Sequence, residues 1–437
     1  MIHKFKAAGH FFVLDVNSSS LHIVDELAND LLDFYPDGAG GVSELSAKYP
    51  EADLREAAGE IDALVSNGLL FSSDPFEGAE GSAFAEPVVK ALCLHLAHDC
   101  NLRCRYCFAG TGGFGGGRSL MPAETGRAAV DFLLTNSGSR RNLEVDFFGG
   151  EPLMNFEAMK AIVAHARENE GRFGKKISFT VTTNGLLLDD EKTAYINEHT
   201  QNAVLSLDGR PAVNDAMRPA ASGGGSYVLV APKFQKLIER RAADYYARGT
   251  YTRENLDFTA DILHLRDLGF RCISMEPVVL PPESPLSIRT EDLPAIYSEY
   301  DKLLDIMLLD DSFSFFHYNV DLTGGPCVYK RLSGCGAGSQ YLAVVPNGDF
   351  YACHQLAGDP SYLCGNVKTG LTSRFETPSV NSRPKCRACF AKFFCGGGCP
   401  AAAITLNGGV SEPYEIGCAL QKKRTECALA LNALKAR

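Results

Sequence analysis

Between residues 88 and 279 the apolar positions of this chain keep two rhythms that take turns. Compact runs near 88–96, 143–148, 176–183, 203–208, 247–252 and 272–279 have the length and composition of strands. Segments with apolar residues three and four apart separate them, as from Asn155 to Glu170 and from Leu256 to Leu268. This alternation predicts parallel strands joined by helical crossovers, an α/β fold closed as a barrel or left as an open sheet. Such folds bind ligands at the C-terminal ends of their strands.

Residues 1–75 read as a separate small module. Apolar runs at 10–16 and 21–24 flank the turn Asn17-Ser18-Ser19-Ser20 and predict a hairpin. A helix is expected from Asp25, with Leu27, Leu31, Leu32 and Tyr35 on one side. Another runs from Ala52 through Ile61, Leu64 and Val65 to a capping Gly68, and Leu69-Leu70-Phe71 supplies a last short strand. That order suggests a winged-helix-like fold. Its acidic character favours capture of a peptide at the sheet edge over DNA binding, with a structural appendage as the plain alternative. Small and acidic residues at 76–86 read as a linker, leaving 87–310 and 311–437 as the further units.

Composition narrows the function classes. The net charge of −11 over 437 residues gives no basic footprint for nucleic acid. No apolar stretch approaches a membrane span, and Met1 to His10 lack a signal core, so a cytoplasmic protein is expected. In that reducing compartment fifteen cysteines are better read as metal or cluster ligands than as disulfides. Eleven of them (three, three and five) fall in the stretches 100–107, 327–353 and 386–418. Cys93, Cys272, Cys364 and Cys427 stand outside and are expected to be small buried hydrophobes.

The first strand run leads into His98-Asp99-Cys100-Asn101-Leu102-Arg103-Cys104-Arg105-Tyr106-Cys107. A [4Fe–4S] cluster has four irons, so three thiolates leave one open to bind and activate a small molecule. The same spacing could line one face of a helix. Asp99, Asn101 and the glycines Gly110, Gly112, Gly113, Gly115, Gly116 and Gly117 favour a loop. The second strand ends Gly149-Gly150-Glu151-Pro152. Its glycines admit close backbone approach and Glu151 offers an acceptor for an ammonium group, although a plain turn with Pro152 opening a helix would look alike. Thr183-Asn184 ends the third strand. On the fourth, Ser206 and Asp208 share one face, with Leu205 and Leu207 opposite.

Together these elements resemble the radical S-adenosylmethionine (SAM) superfamily. The resemblance implies a partial (β/α)6 barrel over 87–310, with Cys100, Cys104 and Cys107 holding the cluster that binds SAM. It implies a SAM shell of Tyr106, Gly149, Gly150, Glu151, Pro152, Thr183, Asn184, Ser206 and Asp208, completed by Arg218 or Glu276, with the Gly-Gly-Glu-Pro run at the amine.

A second cysteine system follows: Cys335, Cys353, then Cys386-x2-Cys389-x5-Cys395-x3-Cys399, and Cys418. Paired cysteines in short loops also suit tetrahedral zinc. The array resembles the SPASM extension of radical SAM peptide-modifying enzymes, which implies two auxiliary [4Fe–4S] clusters within 311–437. Cys386, Cys389, Cys395 and Cys418 would hold one. Cys335, Cys353 and Cys399 would hold the other, with Cys327 as an undecided fourth ligand. Three [4Fe–4S] clusters and SAM are the implied cofactors.

Phe12-Val13-Leu14-Asp15-Val16-Asn17-Ser18, the stretch from Gly325 to Gly338, and Cys353-His354-Gln355 further resemble the SCIFF-peptide maturases, thioether-forming enzymes of the RiPP class. That resemblance implies intramolecular crosslinks between Cys sulfur and an acceptor carbon, such as that of Thr, in a Cys-rich precursor peptide, made through a 5′-deoxyadenosyl radical. It makes residues 1–75 a RiPP recognition element for the peptide leader, and reduced flavodoxin or ferredoxin the electron donor. Three other readings stay open. One is a different SPASM peptide-modifying enzyme, of the sulfatase-maturing or quinohaemoprotein-maturing type. The others are a non-enzymatic iron–sulfur electron carrier and a zinc-stabilised peptide-binding module.

Overall fold

The computed structural model describes residues 1–36, 41–78, 88–320, 322 and 328–436. Cys327 and the expected linker from residue 79 onward lie outside the described residues. The chain opens with an antiparallel sheet of order β1 (Ile2–Ala7), β2 (His10–Asp15) and β3 (Leu21–Val24). Ala8 and Gly9, at φ +45° and +80°, form the two-residue turn between β1 and β2. Left-handed turns of this kind match the twist of a hairpin. The first strand was not expected from the sequence, because its side chains are mostly half-buried and no apolar run marks it.

The short strand expected at Leu69–Phe71 is absent. Leu70 instead packs into the module's core with Val13, Leu31, Leu32 and Ile61. Phe71 takes φ +53°, which ends any extended pairing. The sheet therefore precedes the helices, and among the described residues no strand closes the module after them.

Six parallel strands follow in sequence order: β4 (Ala91–His98), β5 (Asn142–Gly149), β6 (Lys176–Thr183), β7 (Asn202–Ser206), β8 (Asp244–Tyr251) and β9 (Cys272–Pro277). Alternation along each strand separates two faces. Leu92, Leu94, Val145, Phe147, Phe179, Val181, Ala203 and Leu205 belong to the buried core. The other face presents Cys93, Asp146, Phe148, Thr180, Thr182, Ser206 and Arg248 to a single cavity. Closed β/α barrels fill this interior with branched apolar side chains. Polar and short residues leave it hollow here.

The cysteine-rich region continues this sheet. β10 (Tyr341–Val344) pairs in parallel with β4 from Ala91 to Leu94, and β11 (Asp349–Tyr351) and β12 (Leu363–Asn366) extend it antiparallel. The helix Glu415–Lys435 then packs on the helix Leu293–Leu309. The N-terminal sheet docks on the same region, since Leu14 and Val16 share a core with Leu332, Val380, Cys386, Phe393 and Leu429. Cys93, Cys364 and Cys427 are buried as expected. Cys272 is only half-buried, because it opens β9 at the strand's exposed end. Among the described residues no helix is long and apolar enough to cross a membrane.

Candidate active site

The cavity measures about 670 Å³ and is reached by Cys100, Cys104 and Cys107 from the loop after β4. Backbone hydrogen bonds stitch that loop to the segment around residue 218: Arg103 N donates to Pro219 O at 2.8 Å and Arg105 N to Met217 O at 2.9 Å. The Gly-Gly-Glu-Pro turn grips it from the other side, with Gly150 N donating to Ala97 O at 2.8 Å and Glu151 N to Asp99 O at 2.9 Å. A Cβ on Gly150 would lie 2.1 Å from Asp99 O, so no other residue fits this approach. Burial, then the charge of Glu151 and of the two neighbouring thiols, pushes Cys100 up to about 12. Burial pushes Cys104 up to about 11 against the pull of Arg218. Thiols packed this way favour a cation that would hold them as thiolates.

Glu151 is fully buried. Burial pushes its carboxyl up to about 7, although it accepts hydrogen bonds from Thr183 Oγ1 and Asn184 N, both at 2.8 Å, and from Leu153 N at 3.0 Å. Asn184 donates to Asn101 Oδ1 at 2.8 Å and lies 3.6 Å from Cys100 Sγ. Ser206 lines the cavity as expected. Asp208 does not. It is fully buried, ion-paired to Arg218 at 3.0 Å, and accepts from Tyr106 Oη at 2.7 Å and Thr250 N at 2.9 Å. It therefore braces Arg218 and Tyr106 beside Cys104 and offers no free oxygen to a ligand.

The later cysteines gather in two sets. Cys353 feels the charges of Cys399 and Cys335, and Cys399 that of Cys335. Cys418 feels Cys395, Cys386 and Cys389. Cys335, Cys353 and Cys399 are thus neighbours, as are Cys386, Cys389, Cys395 and Cys418. Among the described residues no three His, Cys, Asp or Glu side chains gather closely enough for a single metal ion, so these are sets of facing thiols rather than formed cages. His354 and Gln355, immediately after Cys353, reach the cavity that holds Cys100, Cys104 and Cys107.

Glu276 also lines the cavity, but its carboxylate is committed to Arg424 at 3.6 Å and lies 3.4 Å from His317. Sequence reading missed Arg248, Tyr341, Phe108 and Phe316, which all line the cavity. The alternation of β8 was the signal available for Arg248, since Tyr246, Arg248 and Thr250 share its inner face.

Residues 89–229 match the family of 4Fe-4S single cluster domains. The chain is 25% identical to the serine-type anaerobic sulfatase-maturating enzyme of Klebsiella aerogenes, across 69% of this chain and 77% of that one. It is 23% identical to the radical SAM cyclopropyl synthase TigE of Paramaledivibacter caminithermalis, across 76% and 72%. The fold resembles native anSMEcpe with bound AdoMet (TM-score 0.67, 18% identity, 79% of this chain and 100% of that one). It also resembles Streptococcus suis SuiB bound to the precursor peptide SuiA (TM-score 0.54, 15% identity, 95% and 98%). In sequence the chain is thus similar to a sulfatase-maturating enzyme and to a radical SAM cyclopropyl synthase, and in fold to anSMEcpe and SuiB.

Proposed function

We propose that this radical SAM enzyme forms thioether crosslinks between cysteine sulfur and an acceptor carbon, such as that of Thr, in a Cys-rich precursor peptide of the SCIFF type. One observation carries the reading: a single cavity receives the three thiols of the loop after β4 and, through His354 and Gln355, the edge of the Cys335, Cys353 and Cys399 set. The thiol sets fit three [4Fe–4S] clusters, on Cys100, Cys104 and Cys107, on Cys335, Cys353 and Cys399, and on Cys386, Cys389, Cys395 and Cys418, with Cys327 left as a possible fourth ligand of the second. When bound, these clusters supply the electron that splits SAM, a site for a peptide thiolate, and a sink for the electron left by C–S bond formation.

The chain's own residues set the geometry. Gly149 and Gly150 line the cavity and let the methionyl backbone approach, Ser206 meets the ribose, and Glu151, set behind that lining, meets the SAM ammonium by giving up a bond to Thr183, Asn184 or Leu153. Arg218, held by Asp208 and stacked over Tyr106 at 5.4 Å, fixes the positive side of the thiol loop. Phe108 and Phe316 at the cavity wall exclude water from the reacting carbon. Among the described residues no strand pairs with the outer edge of β3, which suits it to take the peptide leader as an added strand and gives residues 1–75 their role. Reduced flavodoxin or ferredoxin is the donor that fits a reducing compartment.

The test is anaerobic turnover with a Cys-rich peptide. Each crosslink removes two hydrogens and protects one thiol from alkylation, and Cys104→Ala abolishes 5′-deoxyadenosine release. Loss of two hydrogens with every thiol still alkylatable would instead support a sulfatase-maturing type of oxidation.

A further inference from the structure

Two guanidinium groups line the cavity, and they differ in one respect. Arg218 is ion-paired to Asp208 at 3.0 Å. The Arg248 guanidinium has neither a hydrogen bond nor an ion pair within 4.0 Å to any described residue, and the residue is exposed and lines the cavity. It projects from β8 between Ser206 on β7 and Ser274 on β9, two hydroxyl groups that bring no charge. Glu276 feels His317, Arg248 and Arg424 together, so one carboxylate stands against two guanidinium groups. His317, which also feels Arg248, is held neutral by burial and brings no negative charge. This corner therefore carries an excess positive charge.

The two arginines also serve opposite ends. Arg218 acts on Cys104 and Cys107, beside the loop after β4. Arg248 acts on His354 and Glu276, at the end nearer Cys353 and Cys399. An occupant that expels water from Arg248 without supplying an anion leaves an unpaired charge buried, which costs several kcal/mol. A planar guanidinium meets that requirement best with a carboxylate, bound through two parallel hydrogen bonds.

We propose that Arg248 is a specificity residue that binds a carboxylate of the peptide substrate, an Asp or Glu side chain or a C-terminus close to the reacting cysteine. This deepens the peptide-modifying reading and rests on it. The other carboxylate that could enter the cavity is that of SAM. A site for its amine at Glu151 and the pairing of Arg218 with the first thiol loop place that group at the opposite end.

The experiment uses the reconstituted full-length enzyme and two fluorescein-labelled peptide amides, Gly-Cys-Gly-Asp-Gly and Gly-Cys-Gly-Asn-Gly, with binding read by anisotropy. Wild type is expected to bind the Asp peptide about tenfold more tightly than its Asn twin, the worth of one charge-assisted contact. Arg248→Gln should bind both at the level of the Asn twin, and Arg248→Lys should keep part of the preference, which excludes a folding defect. The SAM dissociation constant of Arg248→Gln should stay within about twofold of wild type, since one uniform contact is worth about tenfold. No discrimination by wild type overturns the proposal, including no binding of either peptide at millimolar concentration. An equal loss for both peptides in Arg248→Gln, or a tenfold loss of SAM affinity, overturns it as well. Deoxyadenosine release, measured in parallel without peptide, reports on the radical SAM reading independently.

Discussion

Arg424, on the last helix, holds its guanidinium 3.6 Å from the carboxylate of Glu276 at the end of β9, and donates to His317 Nδ1 at 3.0 Å. That bond fixes the imidazole with Nε2–H facing Glu276. Burial opposes ionisation of Glu276, yet the surrounding cations outweigh it and hold the carboxyl at about 2. His317 is itself pushed down to about 4 by burial, so the two guanidinium groups, Arg424 and Arg248, do this at neutral pH. Arg424→Met should cost about 2 kcal/mol in urea unfolding, less than a fully enclosed pair because Glu276 keeps the attraction of Arg248. A lowered carboxyl stabilises above its unfolded value of 4.5. The stability gap between wild type and Glu276→Gln should hold from pH 5 to 8 and shrink between pH 4.5 and 2.

Glu151 titrates in the opposite sense. Burial raises its carboxyl from 4.5 to about 7, so folding takes up a proton within that window and stability falls as pH rises through it. Glu151→Gln should remove this decline from thermal melts of the SAM-free protein. The ionised form is the one that accepts an ammonium group. SAM affinity, measured by equilibrium dialysis, should therefore be about tenfold weaker at pH 6 than at pH 8 in wild type. A flat profile would remove Glu151 from the amine site.

The six-strand rhythm was legible because each strand carries an apolar face against the helices, and that face leaves a periodic trace. β1 left none, being a half-buried edge whose register comes from the Ala8-Gly9 turn. Spacing marked the short runs Cys100 to Cys107 and Cys386 to Cys399, whereas the grouping of Cys335, Cys353 and Cys399, which lie 18 and 46 residues apart, was implied by the SPASM resemblance alone. The roles of Asp208 and Arg248 were not readable, because they depend on which neighbour across the sheet already satisfies the group. Asp208 looked like a ligand-facing carboxylate until Arg218, Tyr106 and Thr250 were found around it. Linear pattern gives the face of a residue and says little about whether that face is spoken for.

Gly150 gives a steric prediction. In Gly150→Ala the new methyl would sit 2.1 Å from Asp99 O and 3.1 Å from Cys100 Cβ, and a backbone oxygen cannot swing aside. The loop after β4 must shift, at about 2–3 kcal/mol. SAM binding should fall more than tenfold and the melting temperature should drop. Gly171→Ala is the control, with nothing within 4 Å of its added methyl and a right-handed backbone, and should leave both unchanged.

The last prediction concerns how the N-terminal module is held. Lys392 lies between Cys389 and Cys395, with 3% of its side chain exposed, over the Phe393 ring at 4.7 Å and 2.7 Å from Asp74. His3 stacks on Phe390 nearby, and Leu14 and Val16 share the core that contains Cys386. Asp74→Asn keeps the shape and removes the one counter-charge within 4.0 Å of this ammonium among the described residues, so it should cost about 3 kcal/mol. Asp33→Asn removes a partner from Lys4 that is 66% exposed, and should stay within about 0.5 kcal/mol of wild type. Hydrogen exchange separates a local from a shared effect. If the module and the thiol tetrad form one packed unit, amides of β1, β2 and of residues 386–395 should all exchange faster in Asp74→Asn, while those of β5 to β7 stay as they were. Faster exchange confined to residues 72–76 would mean that the N-terminal sheet merely rests on the cysteine-rich region, and leader binding there would then have no mechanical route to Cys386 and its partners.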